Sequence, residues 1–142
     1  MILSLLRFHI SALACLSLFA AWPAAAAARP DLSGLNGIWL NPKGSVAVQT
    51  QACSGRLCGR IVWVSASALA DAHESGIANP IGIELLRDYR RSGDGTWHGL
   101  VYVPDMGRSF HSTIVALAPD RLKISGCLLG SFICKSQIWR RR

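Results

Sequence analysis

The side chains here with chemistry to offer are cysteines, histidines and tryptophans. The cysteines fall into two close sets, Cys53 and Cys58 with four residues between them and Cys127 and Cys134 with six, while Cys15 stands alone near the start. A dithiol redox site needs two intervening residues, and a zinc site needs further Cys or His at equally tight spacing. Neither pattern is present, so the four are read as structural disulfides. Short Gly-containing turns inside each set favour Cys53–Cys58 and Cys127–Cys134. A cross-pairing between the sets remains the competitor, and would constrain a longer loop. His73, His98 and His111 are too dispersed to make a metal centre from spacing alone. No nucleophile elbow, phosphate-binding glycine loop or His-Glu zinc helix occurs, and the acids are scattered singly. No catalytic residue, metal or cofactor is expected.

The chain must deliver these cysteines to an oxidising compartment, and its start is built to do so. Of residues 1–28, 22 are hydrophobic, against 51% for the whole chain of 142. Arg7 is the single charge there, an apolar run extends from Ile10 to Ala21, and Pro23 precedes Ala24–Ala28. This is the pattern of a cleavable secretory signal, with the cut after Ala28 or Ala26. An uncleaved anchor needs about 20 apolar residues, more than stand before Pro23. Cleavage removes Arg7 and Cys15, leaving 14 basic against 8 acidic residues and an even four cysteines. A periplasmic or secreted protein follows, its mature form not spanning the membrane. In such a compartment nucleic acid is not the expected partner, and Arg87, Arg90, Arg91 and Arg140–Arg142 suit an anionic envelope component instead.

The mature chain, 29–142, reads as one all-β domain without repeats or linkers. Alternating runs of β-branched and aromatic residues, punctuated by turns, predict strands at Gly37–Leu40, Ser45–Ala52, Leu57–Val64 and Ile83–Tyr89. Four more are predicted at Thr96–Val103, Arg108–Leu117, Arg121–Cys127 and Lys135–Arg140. Leu57, Ile61 and Trp63 are expected on one face. The long irregular stretch 65–80 has room for a helical turn or two at Ser67–His73. Pro104–Gly107 reads as a hairpin turn with Gly107 left-handed. A bulge there would set Pro104 opposite Arg108 and Tyr102 opposite Phe110; a one-residue slip would pair Val101 with Phe110 and bring His98 and His111 to one face. The bulged form is preferred. About eight strands joined by short turns favour an up-and-down antiparallel barrel, since closure removes sheet edges.

Gly37-Ile38-Trp39 resembles the Gly-x-Trp opening of the calycin barrels, the lipocalins and their relatives. The resemblance implies that Trp39 closes one end of the barrel beneath an arginine of a late strand, which Arg140 is placed to supply. A longer set of motifs is more specific. Leu57-Cys58-Gly59-Arg60-Ile61-Val62-Trp63, Trp97-His98-Gly99-Leu100-Val101-Tyr102-x-Pro104-x-x-Gly107, Gly126-Cys127 and Cys134-Lys135-Ser136-Gln137-Ile138-Trp139-Arg140 follow in order. Together they resemble the secreted bacterial family called domain of unknown function 2147, over about residues 34–140. The resemblance implies a small exported all-β domain with no established activity. Phe110 stands where a Tyr is expected, and the 65–80 loop departs from the pattern. An eight-stranded barrel is either filled or holds one small ligand. The expectation is a small apolar or amphipathic ligand, met by Trp39, Trp63, Trp97, Tyr102, Phe110 and Arg140. The alternative is a filled barrel whose basic rim contacts an anionic partner.

Overall fold

A computed structural model describes residues 34–128 and 133–142. The expected signal at 1–28 and its cut near Ala28 lie outside the described residues. Eight strands close into one antiparallel barrel in chain order: β1 (Gly37–Leu40), β2 (Val46–Cys53), β3 (Arg56–Val64), β4 (Glu84–Arg91), β5 (Trp97–Val103), β6 (Arg108–Ala118), β7 (Arg121–Leu128) and β8 (Ile133–Arg141). Each strand lies within a few residues of its sequence-based range, and the all-β up-and-down barrel is the fold. One helix, α1 (Ala66–Glu74), joins β3 to β4. Ser65 caps it by accepting a hydrogen bond from the Ala68 N–H at 3.1 Å, and Gly76 beyond its end has a positive φ, as a helix stop requires.

The barrel has two unlike ends. One gathers the start of β1, the β2–β3, β4–β5 and β6–β7 turns and the end of β8. The other gathers the β1–β2 and β5–β6 turns, α1, the end of β7 and the start of β8. Both favoured disulfides form, Cys53–Cys58 across the β2–β3 turn at the first end and Cys127–Cys134 between β7 and β8 near the second.

Two faces differ from the sequence reading. The β5–β6 hairpin takes the other register: Val103 pairs with Arg108, Tyr102 with Ser109 and Val101 with Phe110. Pro104–Met106 make a single 3-10 turn that Gly107 closes at φ 62°, so all four residues fit inside the loop. The bulged form would have put Pro104, which has no N–H, into the ladder. On β3, Val48 pairs with Ile61 but Ala47 with Trp63. Val62 is thus an extra residue, and the bulge breaks the alternation. Ile61 stays in the core while Trp63 turns outward, 36% exposed, beneath the Arg142 guanidinium at 4.8 Å.

Candidate functional site

The first end is sealed by the residues of the Gly-x-Trp motif. Trp39 is 1% exposed, and its indole N–H points at the Leu35 carbonyl, 2.9 Å away, and the Thr50 hydroxyl, 3.0 Å away. That hydroxyl donates in turn to the Leu35 carbonyl. The arginine over the ring is Arg141, at 4.3 Å, and not Arg140. Alternation on β8 decides it: Trp139 faces inward, so Arg140 faces outward and Arg141 returns to the barrel end. Arg141 also donates to three carbonyls, those of Pro119, Asn36 and Gly34, at 2.7–3.0 Å. Gly37 has φ 149°, a conformation that suits glycine, and a Cβ there would lie 2.2 Å from the Arg141 Nη1 and displace the clamp. Trp97 is buried in this half, opposite Ile114 on β6.

Moving toward the other end, the inward-facing residues shrink. Gly99, Ser112, Gly126 and Lys135 are consecutive partners across β5 to β8, and three of the four have little or no side chain. Over Gly99 the space is taken by the Tyr89 ring; a Cβ there would meet its Cγ at 2.5 Å. The Tyr89 hydroxyl reaches Ser112. Burial of that phenol disfavours the phenolate and pushes its pKa up to about 12, with the Ser112 contact working the other way.

Among the described residues nothing comparable covers Gly126. A Cβ added there would find its nearest neighbours at 3.7 Å, an ordinary contact distance. The result is a cavity of about 210 Å³ in the open half. Its walls are Leu85, Leu86, Val101, Val103, Phe110, Ile124, Gly126 and Trp139, with Lys135 and Gln137 as polar groups. Leu85 is shared with a second cavity of about 220 Å³ beneath α1, bounded by Val46, Ile61, Val64, Ala72, Ile77 and Pro104, with Asp71 and Asp105 as its acids. Gln137 also lines an outer groove with Asn41, Lys43, Asp71 and Arg140. That groove exists because β1 stops early. Pro42 has no N–H for a ladder, and the Asn41 side chain accepts from the N–H groups of Ser45 and Val46 at 2.8 and 3.0 Å. β8 therefore pairs with β1 only at Arg140 and Arg141, and the seam is open beside Gln137.

Of the six side chains expected to meet a ligand, the structure brings one, Phe110, to the cavity. Trp39 and Trp97 are core of the sealed half. Trp63 and Tyr102 face outward under Arg142 and Arg87, the latter at 4.2 Å. Arg140 is exposed in the outer groove. The lining side chains that sequence reasoning missed are chiefly Val101, Lys135, Gln137 and Trp139. The available signal was the period of two on β8, which sets Lys135 and Gln137 on the face of Trp139. His98 and His111 do share an outer face, His98 opposite Thr113 and His111 opposite Leu100. Among the described residues no group of three or more His, Cys, Asp or Glu is placed to hold a metal.

A family model described as "Uncharacterized protein conserved in bacteria (DUF2147)" matches residues 37–141, and the chain belongs to this family. No curated protein and no solved structure matches it.

Proposed function

We propose that this barrel carries a small amphipathic molecule in the bacterial envelope, with the apolar part of the ligand in the open half. The observation that carries the reading is the cavity over Gly126, about 210 Å³ and walled by aliphatic and aromatic side chains. An apolar cavity of about 150 Å³ takes a benzene ring, so this one suits a single ring or a short alkyl chain. The adjoining space under α1 allows for a longer one. Two disulfides, together with the amino-terminal pattern, support an exported location. Outward-facing Arg60 and Glu84, paired at 2.6 Å, and inward-facing Leu86 and Ile114 support a barrel surrounded by water, not lipid.

Titration with n-alkanols of four to twelve carbons tests this on protein with its disulfides intact. Calorimetry and tryptophan fluorescence, to which Trp139 contributes from the wall, report binding. The affinity is expected to rise by about 0.8 kcal/mol per methylene until the space is filled. Absence of saturable binding across the series, with a bare mass in native mass spectrometry of protein taken from its own cell envelope, would overturn the reading.

A further inference from the structure

The polar corner of the cavity is made of donors. Lys135 contributes an ammonium, with three N–H bonds and no acceptor. It projects inward because it lies four residues before the buried Trp139 on the same strand, and its partner across the sheet is Gly126, which leaves its stem unobstructed. Gln137 has one acceptor atom, its Oε1, and one of its two lone pairs already receives the Trp139 indole N–H at 3.0 Å. Its Nε2 group, a donor, is left over. Among the described residues no carboxylate lines this cavity. Among the described residues the ion pairs are Arg56–Asp88, Arg60–Glu84 and Arg121–Asp120, and none involves Lys135.

We infer that the ligand is an anionic amphiphile whose carboxylate sits between Lys135 and Gln137 while its ring or alkyl chain fills the space over Gly126. The inference rests on the cavity reading and adds the sign of the head group. A carboxylate offers only acceptors, which a lysine ammonium and an amide N–H₂ can satisfy together, and the charge-assisted bond is the stronger kind. A cationic head in this corner would meet Lys135, while the acids Asp71 and Asp105 line the neighbouring space under α1 instead. A neutral hydroxyl would fit the cavity but forgo the charge.

Octanoate, octanol and octylamine, equal in chain length, separate these cases at pH 8 and low salt. Octanoate is expected to bind about tenfold or more tightly than octanol, and octylamine more weakly than either. Lys135→Met keeps the stem and removes the charge, and should bring octanoate and octanol within about twofold of each other. Lys135→Glu should reverse the order, so that octylamine leads. Because Lys135 is exposed, both variants are expected to fold, and a circular dichroism spectrum checks this. If octanol binds as well as octanoate, or if Lys135→Met keeps the preference, the anionic assignment falls and the cavity reading stands. If none of the three binds, both fall.

Discussion

The two halves of this barrel solve the same packing problem in opposite ways. In the sealed half Trp39, Leu57, Ile114 and Leu122 are all but fully buried, and the polar atoms of Trp39 and Thr50 have partners. Arg141 clamps three carbonyls and covers the indole. In the open half β5 to β8 pair without a break at one level, yet an inward row of Gly99, Ser112 and Gly126 leaves room that, among the described residues, Tyr89 partly fills. One half holds the fold; the other keeps incomplete packing and an ammonium that, among the described residues, has no ion-pair partner. Binding sites are drawn from the less stable parts of a structure because complete packing leaves no space for a ligand. In a barrel this small, sealing one end firmly lets the other stay open.

The comparison is broken most directly at Trp39. Trp39→Ala removes one of the two tryptophans of the sealed half, leaves Thr50 and the Leu35 carbonyl without the indole N–H, and takes the surface from under Arg141. A loss of about 3–5 kcal/mol is expected from urea unfolding, with little change in the slope of the transition. A loss below about 1 kcal/mol would mean that the sealed end does not hold the fold.

Tyr89 stands where the halves meet, and pH reads its environment. Its folded pKa, about 12, lies above the ordinary 10, so the folded state holds the phenol proton more tightly than the unfolded chain. Its contribution to stability is therefore complete below pH 10 and is lost as the pH rises from 10 through 12, by about 2–3 kcal/mol at the upper limit. Other groups titrate there too, so the difference from Tyr89→Phe is the measurement. Wild-type stability should fall relative to the variant above pH 10, and parallel curves would show that the phenol is solvated.

How much of this was legible depended on the period of two. Where strands run without bulges, as β5 to β8 do at Gly99, Ser112, Gly126 and Lys135, the sequence determines the faces once the register is known. The register itself turned on one loop: Pro104–Gly107 close as a complete 3-10 turn, and that choice moved Phe110 inward and Tyr102 outward. At Trp63 an extra residue, Val62, broke the alternation, and nothing local to β3 announces that. The disulfides were legible because each joins residues already brought together by neighbouring strands. The cavity was not, because a void comes from small residues on three strands at one level, and their alignment appears only when the strands are paired.

Gly126→Val separates the halves with the smallest effect on folding. The site is extended backbone on β7 with a Cβ position free of close contacts, and valine suits a strand. The added isopropyl group, three carbons, would occupy part of the void beside Val101 and Phe110, so stability should change by less than about 1 kcal/mol, and a gain is the expected sign. Binding of octanol and octanoate should fall together, about tenfold or more, since the lost space is common to both. The same substitution at Gly99 would drive a side chain into the Tyr89 ring and the Arg87 carbonyl and so would destabilise the fold. If Gly126→Val binds the alkyl probes as wild type does, the ligand lies elsewhere and the space over Gly126 is only a packing defect.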